Sequence, residues 1–452
     1  MPSPTADSST IISTTTSWFS WLFPSSSSAP SSSSTPSSSS TSTTNAPVNP
    51  PTLPPTYVQS FHDDITPLHR MKYNSLGRTG MRVSALSLGA SSLGGMFTAV
   101  DDEDEAVDVV IRALKCGINL IDTAPWYQKS ERILGLALRD VPRKAYYINT
   151  KVGRYPISTN RSTGDDDRED EEDRMFDFRG ETVIESVYES LATLGVSYLD
   201  CVHVHDPEFC PDLNIILHET LPALRKLKKE GIVRHIGVAG YPLSVLTRLV
   251  QESTVSLDTV LSYCHHTLLD TSLVDSGFLA LLREKGIGLI NASPFAMGLL
   301  THNGPPAWHP ATNCQKKACR QALEYCSAQS HVQGREISLA RLALRFAFAE
   351  PRIPTTLFST SSVMELTENL RDYHAPLTKA EESVMRHVCK EYFAALKKGG
   401  KVGWEGVEVN AYWTSVGKRH ILKKVYGQQV TALSNGRGGA ATTAGRRKRR
   451  RS

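Results

Sequence analysis

The 452-residue chain has no arginine in its first sixty positions, no apolar run long enough to cross a bilayer, and no pair of cysteines at zinc-type spacing. Each absence excludes something. An arginine-free N-terminus is unlike a mitochondrial presequence. The most apolar N-terminal cluster, SWFSWLF, is too short for a membrane span and too polar for the core of a secretory signal. Eight scattered cysteines, at 116, 201, 210, 264, 314, 319, 326 and 389, fit a reducing compartment in which thiols serve as small apolar fillers. No metal site is expected, and the expected location is the cytosol.

Charge excludes a further class. The net charge is +4, but the terminal run RRKRRR (446–451) carries +6, so the rest of the chain sums to −2. The body therefore offers no electrostatic reason to bind nucleic acid. The run itself reads as a nuclear-import signal, with an importin as its partner, as a weak nucleic-acid patch, or as a solvated tail.

What the chain does contain is organised in blocks. Residues 1–66 are a Ser/Thr/Pro-rich segment, too polar to offset its ordering entropy and expected to be disordered. Residues 71–395 form the expected domain, interrupted at 155–175 by an acidic insertion that includes STGDDDREDEEDR. An extension follows at 396–427, then a disordered basic tail at 428–452. Within the domain, short apolar runs lie at 83–90, 118–124, 146–153, 198–206, 235–241, 259–266, 287–295 and 355–362. Segments of helical spacing separate them; in one, Val183, Val187, Leu191 and Leu194 share a face and Gly195 ends the run. Eight strand–helix units imply parallel pairing and a (β/α)8 TIM barrel, an α/β fold with disordered extensions at both ends.

In that fold the active site lies at the C-terminal ends of the strands. Asp122 and Tyr127 follow the second run in IDTAPWY, Lys151 ends the third in INTKVG, and His205 ends the fourth in VHVHD. An Asp that caps a turn, a rim Lys or a loop His is common singly. All four converging on one mouth is a stronger pattern.

In barrel order, LGRTGMRVSALSLGASSLGG, NLIDTAPWY, SERILGLAL, NTKVGR, LDCVHVHD, GIVRHIGVAGY and ASPFAMGLL resemble the aldo-keto reductase superfamily. KVGR, FDF (176–178), LSYC and NASPFAMGLL are similar to its D-arabinose 1-dehydrogenase and L-galactose dehydrogenase branch. The resemblance spans about residues 72–375. It implies that Tyr127 is the general acid/base, that Lys151 lowers the tyrosine pKa, that Asp122 keeps the lysine charged, and that His205 hydrogen-bonds the reacting oxygen. It also implies a nicotinamide cofactor held by Gly89, Ala90, Ser91, the segment Ser293–Gly298, and the pair Glu368 and Asn369 at the adenine.

Glu365 stands three residues before Glu368, and a carboxylate there would repel a 2′-phosphate, so NAD is expected over NADP. Ala239, Gly240 and Ala292 depart from the wider family's carboxamide anchors and stacking ring. Trp126, Phe176, Phe178 and His265 are candidate pocket-lining residues. The implied reaction oxidises the C1 hydroxyl of an aldose of D-arabinose, L-galactose or L-fucose type to its lactone, toward an ascorbate-like (erythroascorbate) compound. The alternatives are an NADPH-dependent carbonyl reductase and a cofactor-binding regulatory subunit such as the potassium-channel β-subunits.

Overall fold

The sequence alternation resolves into strands whose hydrogen bonding closes on itself. The computed structural model describes residues 53–97, 100, 102–156, 175–334 and 336–416. A short antiparallel hairpin comes first, β1 (Tyr73–Ser75) and β2 (Arg82–Ser84). Eight parallel strands follow: β3 (Leu86–Gly89), β4 (Leu120–Asp122), β5 (Tyr147–Val152), β6 (Leu199–His205), β7 (Val233–Gly240), β8 (Thr259–Tyr263), β9 (Gly288–Ala292) and β10 (Thr355–Ser359). They pair in sequence order, and β10 pairs with β3 to close the ring.

Helices α1 (Glu103–Lys115), α2 (Ser130–Leu138), α3 (Gly180–Leu194), α4 (Leu221–Lys229), α5 (Leu243–Glu252) and α6 (Phe278–Glu284) make the first crossovers. Two helices, α7 (Asn313–Gln333) and α8 (Leu339–Ala347), join β9 to β10, and α9 (Val363–His374) follows β10. A further helix, α10 (Lys379–Val388), comes after it.

Local signals set these boundaries. The Asp102 carboxylate accepts the backbone N–H groups of Asp104 and Glu105 and so starts α1. Gly195 ends α3 with φ 67°, a left-handed conformation that glycine adopts without a Cβ penalty.

The first apolar run, read as one strand over 83–90, is divided. Its beginning belongs to the hairpin and its end to β3. The hairpin plugs the N-terminal end of the barrel: Leu76, Met81 and Val83 pack in one buried cluster with Leu120, Leu261, Ile290 and Leu357 from the staves. Asn119 ties the plug in place. Its carbonyl oxygen accepts from the Ser84 N–H at 2.7 Å, and its amide donates to the Arg82 carbonyl at 2.9 Å and the Thr56 hydroxyl at 3.0 Å.

One expected boundary moves. The Ser/Thr/Pro-rich head was expected to lack order to residue 66, but residues 53–66 are described, and Thr56 and His62 are buried. An unpaired buried amide is costly, so the Thr56–Asn119 bond supplies a reason for this stretch to pack. The extension at 396–427 is described to residue 416, with residues 407–416 helical. The rest of the head, most of the acidic insertion and the basic tail lie outside the described residues.

Because Leu76 is fully buried at the foot of the barrel, far from the strand ends that carry the mouth, Leu76→Ala should lower unfolding free energy by about 2–5 kcal/mol. A urea midpoint shifted down, with turnover per folded molecule unchanged, is the expected result.

Candidate active site

Strand register builds the mouth. Gly89 lies opposite Asp122 on one side and Ser359 on the other, Asp122 opposite Asn149, Lys151 opposite His203, and His205 opposite Ala239. Three of the four expected residues thus come from neighbouring staves at similar height. Tyr127 arrives from a single 3-10 turn, Pro125–Tyr127, immediately beyond β4. Gly94 makes that approach possible: a Cβ there would stand 1.7 Å from the Tyr127 carbonyl oxygen.

The Lys151 ammonium is 1% exposed and all three of its protons are used. It donates to Asp122 Oδ2 at 2.5 Å, to the Thr123 carbonyl at 2.9 Å and to Tyr127 Oη at 3.2 Å. Burial alone would lower the lysine pKa. Asp122 and then Tyr127 outweigh it, so the amine holds its proton more firmly than usual. Burial pushes the Asp122 carboxyl up while Lys151 pulls it down. Within this pair the proton belongs on the nitrogen, because the carboxylate is the acceptor of its shortest bond.

Opposed influences act on the phenol. Lys151 does pull the Tyr127 pKa down, but burial dominates and Asp122 and Asp206 oppose the lysine, leaving the phenol above its ordinary value. In the free protein Tyr127 is therefore a protonated acid at neutral pH.

His205 stands edge-on to Tyr127, with ring centroids 5.7 Å apart. Burial, followed by the charges of Lys151 and Arg154, holds its pKa well below the ordinary histidine value. The imidazole is neutral and presents one donor and one acceptor. Its Nδ1 is buried without a hydrogen-bond partner among the described residues.

Beyond the four, the mouth holds residues that the sequence did not single out. Arg154 donates to Asp206 Oδ2 at 2.6 Å and lies over the Trp126 ring at 4.1 Å. Asp206 itself takes φ 48°, an uncommon backbone state for a residue with a Cβ. Glu208 is half-buried nearby, and desolvation of its carboxyl together with Asp206 raises its pKa well above the usual carboxylate range.

The extension beyond the barrel walls this side. Trp404 stacks on Tyr241 at 5.0 Å, with its backbone N–H donating to the tyrosine hydroxyl at 3.1 Å. Tyr412 stands edge-on to Phe176 and Phe209, which stack on each other at 4.3 Å. The adjacency of Arg154 to KVG was the available signal; the contacts of Trp404 and Tyr412 had none.

Of the candidate lining residues, Trp126 and Phe176 join this group. Phe178 is buried behind Gly153, where a Cβ would meet its ring at 2.4 Å. His265 is committed to structure, stacked on Tyr241 and hydrogen-bonded to the Tyr241 carbonyl and the Ser272 hydroxyl.

The expected cofactor residues gather on the opposite side. Gly89, Ala90 and Ser91 end β3, and the Ser91 hydroxyl donates to Ser359 Oγ at 3.1 Å, which also accepts the Ser92 N–H at 2.8 Å. The segment after β9 is tied to β10 through the Ser293 N–H and the Leu357 carbonyl at 3.2 Å. In it Ser293, Ala296 and Met297 all have positive φ, and a Cβ on Gly298 would stand 2.8 Å from the Gly304 carbonyl. Such clustered strain is characteristic of ligand clamps.

Ser262 Oγ and Asn291 Oδ1, near the ends of β8 and β9, are buried and without partners among the described residues. These atoms fit a bound polar group such as a carboxamide. Glu368 and Asn369 lie in the middle of α9, the first exposed and the second half-buried.

Comparison with known proteins agrees with this geometry. The sequence model of the Aldo/keto reductase family matches residues 85–388. The chain is similar to L-galactose dehydrogenase of Arabidopsis thaliana, 39% identical over 75% of this chain and 99% of that one. It is also similar to D-arabinose 1-dehydrogenase of Saccharomyces cerevisiae, 32% identical over 69% and 92%. Among solved structures, an aldo-keto reductase from Bacillus halodurans in its holo form superimposes with a TM-score of 0.55, at 25% identity over 71% of this chain and 97% of that one. Closed barrel, converging strand ends and family match agree: the chain belongs to the aldo/keto reductase family, oxidoreductases that work with a nicotinamide cofactor.

Proposed function

We propose that the protein oxidises the C1 hydroxyl of an aldose of the D-arabinose, L-galactose or L-fucose type to the aldonolactone, with NAD as the cofactor. The observation that carries this reading is the buried Lys151 ammonium, which donates to Asp122 and Tyr127 together. The names of the two sugar dehydrogenases that the chain resembles favour the substrate class.

The bound nicotinamide supplies the acceptor for the hydrogen that leaves C1 with its electron pair. Tyr127 Oη takes the hydroxyl proton, and the carbon–oxygen bond becomes the lactone carbonyl. Lys151 stabilises the phenolate needed for that step, and Asp122 keeps Lys151 charged. Neutral His205 donates a hydrogen bond to the reacting oxygen and orients it. A cyclic hemiacetal suits this machinery, since its oxidation to a lactone is more favourable than that of an ordinary alcohol. Arg154 and Asp206 offer a donor and an acceptor to the ring hydroxyls, beside the Trp126 face.

NAD over NADP is favoured by two carboxylates at the start of α9. Glu365 accepts from the Thr360 hydroxyl, and Glu105 caps the helix by accepting the Val363 N–H at 2.9 Å. A phosphate at that helix end would meet both charges. Arg371 lies eight residues further along, roughly 12 Å by helical rise, and its guanidinium is paired with Asp372.

The product suits an ascorbate-like (erythroascorbate) synthesis. The cytosol is the proposed location, with nuclear import through 446–451 as the alternative; among the described residues, no helix is long and apolar enough to cross a membrane.

Three measurements test this reading. Tyr127→Phe should lower turnover by about 10²–10⁴-fold while leaving dinucleotide binding, followed by fluorescence, nearly unchanged; surviving turnover would remove the assigned chemistry. Because burial holds the phenol above its usual pKa and oxidation needs it ionised, kcat for sugar oxidation should climb as pH rises through the alkaline range. A flat profile contradicts the proton-transfer role. Finally, kcat/KM should be higher with NAD than NADP, and Glu365→Lys should narrow the gap. A clear NADP preference together with reduction of simple aldehydes, and no oxidation of D-arabinose, L-galactose or L-fucose, would instead establish a carbonyl reductase.

A further inference from the structure

One cavity among the described residues lies away from the mouth. It has a volume of about 360 Å³ and opens at the other end of the barrel. Ala85, immediately before β3, and Ile353, two residues before β10, form part of its floor. Its polar walls are Arg70, Lys72, Arg345, Tyr373, His374 and Glu350.

These walls are unbalanced in charge. Arg70, Lys72 and Arg345 make no ion pair with a carboxylate among the described residues. Glu350 is the one carboxylate in the lining, and Arg352 already covers it in a fork, Nε to Oε1 at 2.6 Å and Nη2 to Oε2 at 2.8 Å. Burial would raise the Glu350 pKa, yet this pairing keeps it lowered, so its charge is spent locally.

Arg345 is the most telling member. One turn earlier on α8, Arg341 is fully engaged, with Nε on Glu381 at 2.8 Å and Nη1 on Asp372 at 3.2 Å. Arg345 instead donates Nη1 to the Tyr373 carbonyl at 2.5 Å and leaves Nε buried without a partner among the described residues. A half-buried guanidinium lacking a counter-charge is costly, and its planar fork matches the oxygens of a phosphate. Burial first, and then the charges of Arg70 and Arg345, lower the pKa of neighbouring His374.

We propose that this cavity is a second binding site, for a small soluble phosphate-type oxyanion, gripped by Arg345 and flanked by Arg70 and Lys72. The volume falls in the range of small-ligand pockets. It sits at the opposite ends of β3 and β10 from Gly89, Ser91 and Ser359, so its occupant does not compete with the mouth.

The test is calorimetric titration of the full chain with sodium phosphate at constant ionic strength. Saturating dinucleotide is present so that any oxyanion subsite at the mouth is filled. Saturable binding of one phosphate per chain is expected. Arg345→Gln should weaken it by about tenfold or more, the equivalent of one charge-assisted hydrogen bond. The double variant Arg70→Gln, Lys72→Gln should also weaken it; both residues are exposed, so this variant keeps the test valid if Arg345→Gln fails to fold. Sugar turnover without phosphate should be unchanged in the double variant. Absence of saturable heat, or equal affinity in wild type and double variant, overturns the site. Tighter binding to phosphatidylserine vesicles than to phosphate overturns the assignment to a soluble ligand.

Discussion

One buried ammonium governs the mouth of this barrel. Lys151 sits in the wall of the barrel with no water to solvate it, and it stays charged only because Asp122, the Thr123 carbonyl and Tyr127 accept its three protons. Those acceptors come from the neighbouring strand and the turn after it, so ring register and site chemistry are one constraint. A slip of a single residue between β4 and β5 would turn these side chains to the other face of the sheet. The same charge reaches further. It works against protonation of His205, and it offsets part of what burial does to the phenol.

Around this pair the mouth is divided by kind of contact. On the side of β9, β10 and β3 the surface is largely backbone, small side chains and strained turns, shaped to accept an extended ligand closely. On the side of β5 to β7 it is made of charged and aromatic side chains: Arg154 between Asp206 and Trp126, and the stacked Phe176 and Phe209. Ala239 and Ala292, near the strand ends, are buried in the same apolar cluster as the hairpin plug. The first side offers mostly backbone and small side chains; the second offers charged groups and ring faces.

Much of this was legible in the sequence because a barrel is periodic. Eight apolar runs, each followed by a helical face, fix the architecture, and residues at run ends are then neighbours by geometry. Asp122, Lys151 and His205 could be placed on one rim for that reason, and Tyr127 followed from a turn too short to carry it elsewhere. The hairpin was less visible, since 83–90 reads as one apolar run and only its tertiary packing under the staves divides it. The phenol's pKa direction was not legible: a nearby cation can be read from sequence, whereas complete burial depends on every loop at the mouth. Trp404 and Tyr412 carried no periodic signal, and their partners Tyr241, Phe176 and Phe209 lie far away in sequence.

The wall contributed by residues 404–412 has a consequence for synthesis. Ring closure needs β10 to meet β3, and both strands precede Trp404 and Tyr412 in the chain. These two aromatic residues are therefore translated after every stave. A chain ending between residues 359 and 404 would therefore carry every stave, with Tyr127 and Lys151, but not the wall that Trp404 and Tyr412 add.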